Sequence, residues 1–437
     1  MATKSAASDT TRASAYTIRP RLHAPIRLSG LPNAACTIAP EGEGDPRHAL
    51  KAFSGPDGEI RFSVHFAAET DDIARLVVTS KAGRKTTRQQ LHLRSGHEAT
   101  EAMPFPPQRR AQMLDLGANV RPALSYEEAL RISDEQAIKR GYPLRPNPDE
   151  TPQAFDSWLR SVSTPMRLIE PHLITNPDIS HGKALITAGP ASSNNWSGFE
   201  LDRSITVAGA GPRQFGLSPP YDWVKGAWSV PAVSGELGQT TYSALWVGLD
   251  GDGVADLVQA GTEQDCVLFL LPPATFITLS TFYAWTEFLP QQPTEQIINN
   301  FPVNAGDHIV TEVWIGNAGS APTPTGAFGC FLIMNLTTSM STRIYTPVGS
   351  TRVGGSEAVW IMERPTVGGG LPDLANYGSA LMTDALARVV NSPKHQGYVA
   401  YQGRRNKQIS MLNGGATLST VTAIDATSMR FNWQAFH

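Results

Sequence analysis

Two stretches of alternating apolar and polar positions organise this chain. Residues 246–261 read WVGLDGDGVADLVQAG, two strands joined by a tight turn. The Asp-Gly-Asp-Gly core supplies residues that tolerate the positive φ angles of such turns, and apolar residues flank it on both sides. Gln259 falls in the second arm among Leu257, Val258 and Ala260, an unusual setting for an uncharged polar side chain. Residues 357–365 read EAVWIMERP, a strand on which Val359, Ile361 and Glu363 take one face and Ala358, Trp360 and Met362 the other. Glu363 therefore ends an apolar strand just before Pro365.

The same patterning divides the remainder. Residues 1–16 are small and polar and are expected to be disordered. Residues 17–102 alternate as strands, for example over 60–66 and 75–79, with Gly55-Pro-Asp-Gly58 as a turn, and predict a small β module. A Pro-rich joint at 103–107 opens a helical segment, 103–168. There Ser125-Tyr-Glu-Glu128 has capping-box spacing, predicting a helix to about Arg140 with Gly141 as its stop. Thr151-Pro152 opens a second helix with Phe155, Trp158, Leu159 and Val162 on its apolar face, and both helices need a surface to cover. Residues 169–190 read as a connecting strap, a plausible place for proteolytic processing as well as an ordinary linker. From 191 to 437 strand-like runs separated by Gly, Pro, Asn and Ser continue without a long helical pattern, predicting one large antiparallel β-sandwich or jelly roll. In its longest run Ile277, Leu279, Tyr283, Trp285 and Glu287 share a face, which fits either a ligand-receiving concave sheet or a core face with Glu287 at its rim.

Composition narrows the function. The 437 residues exceed one ordinary domain, and plentiful Gly and Pro favour strands over helices. A net charge of −3 gives no argument for nucleic acid, and no apolar run is long enough for a membrane helix. Residues 1–189 sum to about +3 and 190–437 to about −6, so the halves should attract near neutral pH, the attraction fading as carboxylates protonate. The N-terminus lacks the apolar core of a Sec signal. Cys36, Cys266 and Cys330 fit no zinc spacing, and buried free thiols are expected over a Cys266–Cys330 disulfide. Paired Asp-Thr/Ser-Gly triplets, a Gly-x-Ser-x-Gly elbow and a His-Glu-x-x-His helix are all absent. Asp250–Asp256 looks superficially like a calcium loop, but Val254 takes a ligand position and no glutamate ends the loop. No metal or cofactor is expected.

Six blocks in order carry a family resemblance: Asn195-Trp-Ser-Gly198, the 224–231 run VKGAWSVP, the Gln259 block, Ala284-Trp-Thr-Glu-Phe-Leu-Pro290, Gly306-Asp-His-Ile309 and the Glu363 block. Residues 194–437 thereby resemble the eqolisins, the glutamic peptidases. The resemblance implies a two-sheet, concanavalin-like sandwich and endopeptidase activity at acid pH on polypeptide substrates. It places the catalytic pair on Gln259 and Glu363, and cleft residues on Trp196, Trp246, Asp250, Trp285 and Glu287. It also implies secretion and suggests that residues 1–190 are a pro-region packed on the C-terminal domain of a monomer. The family glutamate is replaced by Val359 and a family tyrosine by Leu289. Loss of a like charge on its own strand face should make Glu363 easier to ionise. Those two departures keep open a silent sandwich that binds peptide or carbohydrate.

The chemistry suits the pair. A carboxyl that begins ionised can serve as base and then acid, while a primary amide holds water and supports an oxyanion without changing charge. Spacing alone favours a satisfied strand glutamine and a rim carboxylate, and the six ordered family blocks reverse that preference.

Overall fold

The computed structural model describes residues 14–18, 23–45, 48–67, 70–95, 119–185, 191–202, 220–272, 274–349, 353–390, 396–398 and 406–437. The Pro-rich joint at 103–107 and residues 1–13 lie outside them. The chain divides into two compact units: residues 1–104 with 235–240 and 266–281, and residues 105–234 with 241–265 and 282–437. Both are built mainly of strands. Among the described residues no helix is long and apolar enough to cross a membrane.

The first unit closes on one apolar core. Strands Ala35–Pro40, Leu50–Phe53, Thr70–Ala82 and Lys85–Ser95 pair antiparallel. Ser14–Ile18 adds a parallel strand along Leu91–Ser95, so residues 14–16, expected to be disordered, lie in a strand whose backbone is satisfied by a sheet edge. Strand Glu59–Phe66 pairs with Ala24–Ser29 on one side and with 277–280 on the other. Ile60, Phe62, Val64 and Phe66 thus meet Ile277 and Leu279 in the core. The sandwich sequence lends two strand segments to this unit, a division that alternation along each run does not reveal.

The second unit contains two sheets. In one, Trp196–Asp202 lies between Asn406–Asn413 and Glu357–Glu363, and Glu357–Glu363 pairs in turn with Thr240–Asp250. In the other, Tyr221–Ser229 lies between His308–Gly316 and Ser379–Val389, continued by Phe328–Asn335 and Met340–Pro347. The expected β-sandwich class is what the chain adopts. Cys36, Cys266 and Cys330 are free and buried.

The helical segment belongs to this unit. Helix Pro152–Val162 starts at its Pro and buries Phe155, Trp158 and Val162, as its periodicity predicts. The single helix expected over 126–140 is instead two, Tyr126–Arg131 and Asp134–Arg140, because Ser133 caps a second start with Gln136 in a second capping box. Gly141 ends it in the left-handed conformation (φ 81°), as expected. Ile138, Leu144, Ala154 and Met166 share a core with Trp223, Ala227, Val310 and Trp314 of the second sheet. The strap is likewise not free: Met166–Ile169 at its start and Leu173–Thr175 each pair with a sandwich strand, and Ile179–Ser180 pairs with the short strand Thr366–Val367 just after Glu363.

Candidate active site

Each arm of the Gln259 hairpin has an apolar reason to stay where it is. Strands Thr240–Asp250 and Leu257–Leu271 are joined through Asp250, Gly251 and Gly253, all at positive φ, as the turn chemistry predicts. The arms approach so closely that a Cβ on Gly261 would fall 2.4 Å from the Leu245 carbonyl oxygen. Trp196, Trp246, Leu257, Trp285, Val359 and Ile361 form one buried cluster, which places Val359 and Ile361 on the face that Glu363 continues. Leu289 packs at its margin.

On the polar side of this cluster the structure brings Gln259, Glu363, Glu287, Trp246 and Trp285 around one residue of the strap, His181. The imidazole stacks on Trp285 with ring centroids 3.6 Å apart and planes 5° from parallel. Its Nδ1 lies 3.2 Å from Glu363 Oε2, and its Nε2 3.0 Å from Glu295 Oε2 and 3.6 Å from Glu263 Oε2. Trp246 Nε1–H donates to Glu363 Oε2 (2.8 Å), and Asn195 Nδ2–H to Glu363 Oε1 (3.4 Å). The backbone of His181 is held as firmly: its N–H donates to Glu287 Oε2 (2.8 Å), and its carbonyl oxygen accepts from Gln259 Nε2 (2.6 Å). Trp196 Nε1–H donates to the next carbonyl, that of Gly182. Gln259, Glu363 and His181 are each fully buried, and Gln259 Oε1 has no hydrogen-bond partner among the described residues.

Asp250 has different work. Its carboxylate accepts backbone N–H groups of Gly355, Ser356 and Glu357, tethering the entry to the Glu363 strand. Asp256 takes the Gly354 N–H, and Asp252 pairs with Lys407. The apparent calcium loop therefore spends its carboxylates on amides and an ammonium. Among the described residues, the buried group whose ligand atoms could surround a metal is His181, Glu263 and Glu295, all within 4.8 Å of one another. The imidazole already meets both carboxylates there as ion pairs.

Burial and charge compete in this cluster. Burial alone would lower the His181 pKa, but hydrogen bonds to Glu295 and Glu363, and their charges, push it up to about 10. Burial raises Glu363 more than the His181 contacts lower it. Glu287 rises to about 8 through burial, partly offset by the His181 charge. Burial and the Asp265 charge raise Glu263, and burial takes Asp265 itself to about 8. Tyr283 O–H donates to Glu295 Oε1 (2.9 Å), closing the network.

His181, Glu263 and Glu295 were not singled out by pattern. Glu263 does follow Gln259 by four residues on one strand, an available signal. His181 sits in a short polar stretch without periodicity, and nothing local marks it.

A family model described as the Peptidase A4 family matches residues 206–433, a span holding Gln259, Glu363, Trp246, Asp250, Trp285 and Glu287. Trp196 and His181 precede it. No curated protein matches the chain in sequence. Among solved structures, scytalido-glutamic peptidase with a peptide-based transition-state analog is 16% identical with a TM-score of 0.39, covering 55% of this chain and 98% of that one. SCP-B, a member of the eqolisin family of peptidases in complex with the tripeptide Ala-Ile-His, is 16% identical with a TM-score of 0.38 and the same coverage.

Proposed function

Because the chain belongs to the Peptidase A4 family, we propose that it is a glutamic endopeptidase in which Glu363 is the general base and acid and Gln259 the oxyanion donor. The observation that carries this reading is the grip on His181. A backbone carbonyl rests on the Gln259 amide at 2.6 Å while the Glu363 carboxyl lies against the same residue. A substrate carbonyl in that place would develop its negative charge on an oxygen already facing an N–H donor. Gln259 Oε1 is the free acceptor with which to orient a water. Glu363 would take the water's proton and return it to the leaving nitrogen.

Glu363 is a poor base in the closed arrangement, since burial raises it and His181 occupies it. Once the His181 imidazole leaves the carboxyl and water enters, the desolvation eases, and the carboxyl falls back toward the ordinary range, where it can begin ionised in mild acid. Trp246 would keep it oriented, and Trp196, Trp285 and Glu287 would line the peptide's path. In the same reading, part of the first half is a pro-region that keeps the site closed, and export follows the secreted character implied by the eqolisin resemblance.

The test is digestion of a denatured protein by the purified chain and by Glu363→Gln, at pH about 3 and about 7. Cleavage in acid that vanishes in the mutant supports the assignment, and full activity in the mutant sinks it.

A further inference from the structure

Residues 178–185 are held as a bound peptide is held, by backbone groups on both sides of His181. Ile179–Ser180 pairs antiparallel with Thr366–Val367, just beyond Glu363. The Asp178 carbonyl accepts from Gly368 N–H, and the Ile179 carbonyl from Glu295 N–H. After His181, the Gly182 carbonyl accepts from Trp196, the Lys183 carbonyl from Asn195 Nδ2–H, and Ala184 N–H donates to the Gly251 carbonyl. Recognition through main-chain hydrogen bonds along an extended segment is how a sheet edge receives a peptide of varied sequence.

We propose that the strap occupies the cleft as an internal substrate and that the His181–Gly182 peptide bond is the one the enzyme cuts in itself. The inference rests on the peptidase reading and adds to it the identity of the bond. The His181 carbonyl is the strap carbonyl that the Gln259 amide holds. Gly182 brings no side chain to the leaving side, where even an added Cβ would meet nothing nearer than Thr366 Oγ1 at 4.0 Å. In the step itself, water oxygen adds to the His181 carbonyl carbon and its proton passes to Glu363. The bond to the Gly182 nitrogen then breaks, and that nitrogen takes the proton back from Glu363. The products are a His181 carboxylic acid and a Gly182 amine, which become carboxylate and ammonium by passing the acid's proton to the amine, with no other reactant.

The imidazole explains why the bond is kept intact. Its Nδ1 engages the very carboxyl the reaction needs, while Trp285 fixes the ring plane and Glu263 and Glu295 hold the other nitrogen. His181 is both the residue whose carbonyl is presented and the latch on the base.

The full chain and its Glu363→Gln variant are incubated in acid, and each fragment's mass and N-terminal sequence are read. A synthetic peptide spanning Asn176–Leu185 is then given to the acid-treated chain. The expected result is a fragment beginning at Gly182, absent in Glu363→Gln, and cutting of the peptide at its His-Gly bond. Digestion of a denatured protein with self-cleavage elsewhere, or none, overturns this inference and leaves the peptidase reading standing. A Gly182 terminus that also appears in Glu363→Gln overturns it too, since another protease made the cut. If neither the chain nor the denatured protein is cut, both fall together.

Discussion

The strap around His181 and the helices Tyr126–Arg131, Asp134–Arg140 and Pro152–Val162 both precede the Peptidase A4 span and pack within one unit, yet opposite physics holds them. The helices attach through apolar side chains, Trp158 in the helical core and Ile138, Leu144 and Ala154 against Trp223, Val310 and Trp314 of the sheet. Polar contacts assist, among them Leu144 N–H to Glu312, Arg343 to the Ile138 carbonyl, and Arg388 bridging Asp134 and Asp222. The strap attaches through main-chain hydrogen bonds and one imidazole among carboxyls. Apolar burial is indifferent to pH and irreplaceable without exposing a sheet face. A buried ionic latch depends on proton count and is lost when one partner changes. Under the proposed self-cleavage, the helical segment would stay on the sheet through its apolar side chains, whereas the strap is the part that a cut would free.

The largest expected effects separate catalysis from both regions. Glu363→Gln should lower kcat by about 10²–10⁴-fold, and Gln259→Ala by about 10²–10³-fold, with thermal unfolding showing that the fold survives. Trp158→Ala should destabilise the unit by about 3–5 kcal/mol, since it empties a fully buried site and frees the Pro143 carbonyl, read as a lowered Tm. His181→Ala should instead loosen the strap alone. Limited proteolysis across 178–185 should quicken while Tm moves less than in Trp158→Ala. An equal fall in Tm would erase the contrast drawn above.

The pH dependence follows from signs. The His181 pKa is raised in the folded chain, so its contribution is complete below about 6.5 and is lost as pH climbs through about 10. Glu287 and Asp265 are raised to about 8, so the folded form also holds their protons after the unfolded form has released them. All three lose stability in the same direction, and the urea midpoint should fall steadily from pH about 5 to about 9. A midpoint that rises over that range would contradict the shifts. Smallest of all, Ser133→Ala should cost about 1 kcal/mol by removing the cap of helix Asp134–Arg140, seen as a small loss of helical signal stability.

Much of this was legible in the chain. The Gln259 hairpin, the Glu363 strand, the Pro152 helix and the Gly141 stop are local matters of turn residues, alternation and capping, which neighbours in sequence decide. Even the break between the two short helices is carried by Ser133-Asp-Glu-Gln136, with Ser133 and Gln136 at capping-box spacing. That Asp250 tethers three amides was not legible, because which groups a turn carboxylate meets depends on a loop a hundred residues on. What only tertiary structure decided is the arrival of His181 between Glu363, Glu295 and Glu263, partners 182, 114 and 82 residues away. Alternation can show that a polar side chain is out of place in a strand. It cannot name the distant group that satisfies it, because that pairing is settled by how sheets and strap pack in space and leaves no period in the sequence.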